Sequence, residues 1–223
     1  MNPWLDIRNL EFSRNHRTIL ESISLGIFPG DLTLLTGHNG SGKTTLLRIM
    51  AGLLQPDAGL LSLDGETQPN WRRSRNLLRK NVCYLHQRPY LFDGSVFDNV
   101  SYGLQRRKID KRRIQSLVMD ALANASLEHL SGRNSRELSG GEQQRVAIVR
   151  AQVLNPRLML LDEPLANMDK QSRRQCLAMI NQLHREQVSV IFTSHDPQQG
   201  ELNISRHLHL YQGTLSLKNP HPV

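Results

Sequence analysis

Gly37-His38-Asn39-Gly40-Ser41-Gly42-Lys43-Thr44 fits the phosphate-binding pattern G-x-x-x-x-G-K-[ST] at every required position. Glycines at the bends let the backbone curl and bring its N–H groups up to phosphate oxygens, where a Cβ would block the approach. Lys43 adds a mobile charge for the β- and γ-phosphates, and the Thr44 hydroxyl is the expected Mg²⁺ ligand. Both flanks agree with this reading. Leu32 to Thr36 reads as a buried strand, and Leu46, Ile49, Met50, Leu53 and Leu54 recur at helical spacing behind the loop. Strand, loop and helix in that order set the phosphates at a helix N-terminus, where the dipole and the free N–H groups favour anions. The loop from Gly37 through Thr45 is therefore the expected nucleotide contact. A glycine-rich turn with a chance lysine would need neither flank.

Outward from the loop, the chain alternates between strand and helix signals. Residues 5–12 and 23–28 read as two strands ahead of the loop, forming an antiparallel flap beside the main sheet. Leu61 and Leu63 resume alternation up to Asp64-Gly65, a hairpin signal. Trp71 to Lys80 reads as a short exposed helix rich in arginine, and Val82 to His86 as a strand ending in Gln87. From there to about residue 144 the strand signals stop, and Ile114, Leu117, Val118, Ala121, Leu122 and Ala125 form an amphipathic stripe. Alternation returns with a helix over roughly 141–154, a strand at Leu158–Leu161, a helix near 170–186 and a strand at Val188–Thr193. A hairpin around Gln212-Gly213 closes the chain. The expected fold is α/β: a P-loop NTPase (RecA-like) core with an N-terminal antiparallel β flap and a helical insertion. Residues 1–223 make one domain, with 1–87 and 145–223 as core and flap and 88–144 as the helical subdomain.

Composition narrows the setting. The 223 residues are enough for a real core, and 38% hydrophobic with 22% charged content describes a globular chain rather than a disordered one. No apolar run approaches the length of a membrane span, and the N-terminus lacks the pattern of a signal peptide. Cys83 and Cys176 are isolated, which suits a reducing compartment. The net charge of +8 points to an anionic neighbour: nucleic acid, a membrane leaflet, or only the nucleotide.

Leu158 to Leu161 is an apolar strand that delivers Asp162 and Glu163 at its C-terminal end, where parallel sheets bind ligands. Asp162 can hold Mg²⁺ through its water shell, and Glu163 can polarise an attacking water. Leu138-Ser139-Gly140-Gly141-Glu142-Gln143-Gln144-Arg145 is a second place where serine and glycines open a helix, again an anion-binding geometry. A second cradle calls for a second nucleotide or another partner. These residues resemble the signature motif of ATP-binding-cassette (ABC) ATPases. In the family's order, Gln87 matches the Q-loop glutamine, Leu160-Leu161-Asp162-Glu163-Pro164 the Walker B strand, Asp169 the D-loop aspartate and His195 the switch histidine. The resemblance spans essentially the whole chain.

That resemblance implies a head-to-tail dimer, as a homodimer or a paired cassette, with ATP and Mg²⁺ between the subunits. Ser139 and Gly141 would contact the γ-phosphate held by the opposite subunit. Gln87 would join Thr44 and Asp162 around Mg²⁺, and His195 would hold the γ-phosphate and the geometry of Glu163. Catalysis would then rest on Glu163, His195, Gln87 and Lys43. The partner would be a separate integral membrane permease, with a periplasmic or surface solute-binding protein, and the chain would sit peripherally at the cytoplasmic face of the inner membrane. The permease would dock just after Gln87, where Tyr90, Leu91, Phe92 and Phe97 are expected to line a groove. The wording of that stretch is similar to oxyanion importers of the tungstate or molybdate type, and no C-terminal ligand-sensing domain is expected.

Two positions depart from the family's pattern. Ala166 stands where the D-loop usually has serine, and Arg14 where an aromatic usually stacks on adenine. A guanidinium also stacks on π-faces, so either Phe12 or Arg14 can cover the base. The alternative function is an ABC ATPase acting on nucleic acid or ribosomes. Such proteins usually carry two cassettes or long coiled-coil inserts, which this chain does not have, so nucleic acid is not the expected partner.

Overall fold

The computed structural model describes residues 2–194 and 202–218. Strands β1 (Leu5–Arg14) and β2 (Arg17–Ile27) pair antiparallel and lead into the central strand β3 (Leu32–Thr36) and helix α1 (Lys43–Met50). The chain continues through β4 (Ala58–Leu63), β5 (Glu66–Thr67), α2 (Trp71–Asn81) and β6 (Val82–Leu85). A helical stretch follows, α3 (Val96–Arg106), α4 (Lys111–Asn124) and α5 (Gly140–Gln152), and then β7 (Leu158–Leu161), α6 (Lys170–Arg185) and β8 (Ser189–Thr193). The last elements are β9 (Arg206–Tyr211) and β10 (Thr214–Lys218).

The strands form two sheets. One is antiparallel, in the order β2-β1-β4-β5; the other runs β10-β9-β3-β8-β7-β6, parallel except at its β10 edge. All residues of β3, β7 and β8 are buried, because helices and the antiparallel sheet cover both faces. Asp64 and Gly65 make the β4–β5 turn, both with positive φ, as a two-residue hairpin of the primed type requires. β2 starts six residues earlier than the alternation suggests. Asn9 and Ser22 both adopt positive φ, and the β1–β2 register shifts between Ile7 and Leu10 and again by Phe12, so bulges break the period of two.

Three hydrophobic clusters hold these layers together. The first lies between the antiparallel sheet and one face of the main sheet, with α1 inside it through Leu46, Leu47, Ile49 and Met50. The second packs α5 and α6 on the other face, around Met159, Phe192 and Ile180. The third is helical, built from Val96, Val100 and Leu104 of α3 with Ile114, Val118 and Leu122 of α4. Helix α5 is buried along most of its length because it serves two clusters: Ala147, Ile148 and Ala151 pack in the sheet cluster, while Val146 and Val149 pack with α3 and α4. Between the two sheets, the Arg157 guanidinium lies 4.2 Å from the Trp4 ring and makes two 2.7 Å bonds to Asp64.

Candidate active site and docking groove

The loop between β3 and α1 is built as its sequence requires. Gly37 has φ +151°, and a Cβ there would collide with the Leu210 carbonyl oxygen. Gly40 has open space around it and needs its glycine for the backbone alone, at φ +79°. Gly42 is the N-cap of α1, with no side chain capping the helix and no acid in its first turn. Lys43 is only 6% exposed and donates to the carbonyls of Gly37 at 2.7 Å and His38 at 3.0 Å. Burial lowers its pKa, and the nearby Glu163 and Asp162 carboxylates oppose that shift.

The strand ends bring the carboxylates to this loop. Thr44 Oγ1 donates to Asp162 Oδ2 at 2.8 Å, and Tyr84 Oη donates to the same oxygen at 2.9 Å. Thr193 Oγ1 donates to Asp162 Oδ1 at 3.0 Å and accepts the Glu163 N–H at 2.7 Å. Gln87 Nε2 donates to Glu163 Oε2 at 2.8 Å. Glu163 sits at φ +50°, a left-handed conformation that costs about 1–3 kcal/mol and persists where the surroundings enforce it. The hydroxyl of Thr44 and the carboxylate of Asp162 meet at 2.8 Å, and Gln87 is tied to the neighbouring Glu163; these are oxygen donors of the kind that suits a hard cation that keeps most of its waters. Among the described residues there is no cluster of three or more His, Cys, Asp or Glu that could hold a metal by itself.

A cavity of about 660 Å³ opens over the loop, lined by Asn39, Gly40, Gly42, Lys43, Thr44, Thr45 and Glu163. Phe12, Arg14 and Ile19 from the antiparallel sheet line it too, together with Arg48 of α1. Phe12 and Arg14 thus share the cavity wall, with Phe12 buried and Arg14 exposed. Ser139 and Gly141 do not line it. Ser139 caps α5 instead, in a reciprocal box with Glu142: Ser139 Oγ and N each donate to Glu142 Oε2, at 2.7 and 2.8 Å. Gly141 leaves room for Ser172, whose hydroxyl is bonded at 2.7 Å to Asp169. The predicted switch residue His195 lies outside the described residues.

The model of the ABC transporter family matches residues 20–166. The chain belongs to the ABC transporter family. It is 40% identical over 200 residues to the spermidine/putrescine import ATP-binding protein PotA of Marinobacter nauticus, covering 87% of this chain and 52% of that protein. It is 36% identical over 217 residues to the sulfate/thiosulfate import ATP-binding protein CysA of Photorhabdus laumondii, covering 95% and 59%. The chain therefore spans a little over half the length of these curated relatives. Among solved structures, cbiO1 from Clostridium perfringens, part of the ABC transporter complex cbiONQ, is similar with a TM-score of 0.88 at 27% identity, over 99% of this chain and 90% of that one. The fold is thus the α/β P-loop core of the ABC ATPases.

In this ABC chain the segment after Gln87 forms one wall of a second cavity, about 530 Å³, lined also by Cys83, His86, Tyr102, Arg106 and Arg150. Tyr90 is 73%, Phe92 38% and Tyr102 47% exposed, and their rings meet in sequence at 5.7 and 4.7 Å. Arg150 lies under Phe92 at 5.4 Å and donates to the Tyr90 carbonyl. Leu91 and Phe97 do not line this groove, contrary to the expectation from sequence. Both are half-buried and pack against the helical cluster, because the apolar stripe of α3 draws Phe97 inward beside Val96 and Val100. Tyr102 and Arg150 take their places, and neither was anticipated. No helix among the described residues is long and apolar enough to cross a membrane.

Proposed function

We propose that the chain is the ATP-binding and ATP-hydrolysing subunit of an ABC importer, driving a separate membrane permease from the cytoplasmic face of the inner membrane. The observation that carries this reading is the convergence of Lys43, Thr44, Asp162, Gln87 and Glu163 beside one cavity. Lys43 already rests on the loop carbonyls, so it is poised to exchange them for β- and γ-phosphate oxygens. Thr44, Asp162 and Gln87 would hold Mg²⁺, which supplies charge neutralisation on the phosphates. Glu163, steered by the Gln87 amide, would take the proton of the attacking water.

Ser139 and Gly141 lie away from the chain's own cavity, which supports a head-to-tail dimer in which they complete the partner's site. Glu163→Gln is expected to lower turnover roughly 100-fold or more while ATP binding persists, and to trap an ATP-bound dimer on sizing chromatography. A variant that hydrolyses normally and stays monomeric would sink the reading.

The exposed aromatics beside Gln87 support docking of a permease helix in the groove, since a lone chain gains little from showing three rings to water. Phe92→Asp is expected to leave ATP binding intact and to cut permease-stimulated turnover about ten-fold. A collapse of thermal stability instead would make Phe92 a packing residue. The solute belongs to the permease and its binding protein rather than to this chain. The tungstate-type reading rests on the sequence of the docking segment, and the relatives' names span a polyamine, ferric ion and sulfate. Uptake of labelled molybdate, sulfate and spermidine by cells carrying the whole system decides among them.

A further inference from the structure

Asp162 is 5% exposed, and the donors on its carboxylate are three hydroxyls from three different elements. Thr44 comes from α1, Tyr84 from β6 and Thr193 from the end of β8. The parallel register explains their meeting. Tyr84 pairs with Leu160 and Phe192 with Leu161, so Asp162, one residue beyond Leu161, has Tyr84 behind it on one side and Thr193 level with it on the other. The one proton of the Tyr84 phenol goes to Asp162 Oδ2.

These hydroxyls have unequal duties. Thr44 is itself an expected ligand of the cation, so its oxygen is shared. Tyr84 and Thr193 have no such second task. We propose that Tyr84 and Thr193 are positioning residues that clamp the two oxygens of Asp162, setting the carboxylate for Mg²⁺ before the metal and nucleotide arrive. Thr193 does more than Tyr84, because it also accepts the Glu163 N–H and so fixes the catalytic carboxylate's backbone relative to the metal acid's side chain. Partners of this kind, one bond removed from a ligand, hold its orientation and often matter nearly as much as the ligand. Neither residue belongs to a motif that the sequence singles out. The inference rests on the nucleotide-site reading above.

The test separates metal from nucleotide. The full chain is titrated with a fluorescent ATP analogue, once in EDTA and once across a Mg²⁺ series. Tyr84→Phe preserves ring shape and removes only the hydroxyl. It is expected to raise the Mg²⁺ concentration for half-maximal tight binding roughly ten-fold, with the affinity in EDTA unchanged. Thr193→Val is expected to shift it in the same direction and Thr193→Ser to restore it, which a purely packing role would not do. An unmoved Mg²⁺ midpoint in Tyr84→Phe overturns the clamp. So does a parallel loss of affinity in EDTA, which would make Tyr84 part of the cavity wall instead. If the unmodified chain binds no nucleotide in either condition, the nucleotide-site reading itself fails and takes the clamp with it.

Discussion

Two helices in this chain open on glycine and serine beside a strand or turn, and they end in opposite states. At α1 the N-cap is Gly42, with no side-chain cap and no acid in the first turn, and Gly42, Lys43, Thr44 and Thr45 line the cavity. At α5 the N-cap is Ser139, and Glu142 folds back to accept its N–H and hydroxyl. One helix leaves its positive end for an anion from solution; the other carries its own carboxylate there. Similar composition therefore encodes different tasks. The first end is left open to a ligand, whereas the second is satisfied within the chain; in the dimer proposed above, another subunit's phosphate would have to compete with Glu142 for it.

The strongest way to break this contrast is to disable each end in turn. Lys43→Ala is expected to weaken nucleotide binding to the isolated chain by roughly 100-fold, as loss of a preorganised cationic contact on phosphate does. Ser139→Ala should leave that binding within about two-fold, cost about 1 kcal/mol of stability for the lost cap, and lower turnover only where dimers form. Equilibrium binding on dilute protein, followed by turnover at rising concentration, reads both. Loss of nucleotide binding by the dilute Ser139 variant would erase the distinction between the ends.

A smaller effect sharpens the same contrast through pH. The Ser139 hydroxyl, and then the Ser139 backbone N–H, hold the Glu142 carboxyl below its usual pKa. A carboxylate lowered in the folded state stabilises it above the unfolded pKa, and that contribution is lost as pH falls through the folded value. Glu142→Gln should therefore cost most near neutral pH, about 0.5 kcal/mol given solvent screening. The gap to the unmodified chain should close as the medium is acidified below about pH 4. Thermal melts at several pH values measure it, and a gap that widens with acid would contradict the capping geometry.

How much of this was legible in sequence depends on whether the information is local. The phosphate loop, β3 and β7 can be read directly because each is a contiguous pattern, and the structure keeps the expected limits of Leu32–Thr36 and Leu158–Leu161. The Ser139 cap follows from a serine three residues ahead of a glutamate. Tyr84 and Thr193 could not be read this way. Their roles depend on which strands lie side by side and in what register, and no local pattern states that β6, β7 and β8 align Tyr84, Asp162 and Thr193. The groove was legible in place but not in detail. A turn of about 100° per residue carries Tyr102 to the far side of α3 from Val100, outward into the groove, while Phe97 stays against the stripe.

The order of strands in the main sheet also has a consequence in time. β3, which aims the phosphate loop, takes its neighbours from β8 and β9, more than 150 residues further along the chain. During synthesis the loop emerges early, yet the strand that supports it has no partner on either side until more than 150 further residues have been made. Contacts this distant form slowly. A nascent chain thus carries the complete phosphate-binding motif long before it has a site to bind with, and nucleotide can reward only a chain that has been made through β9.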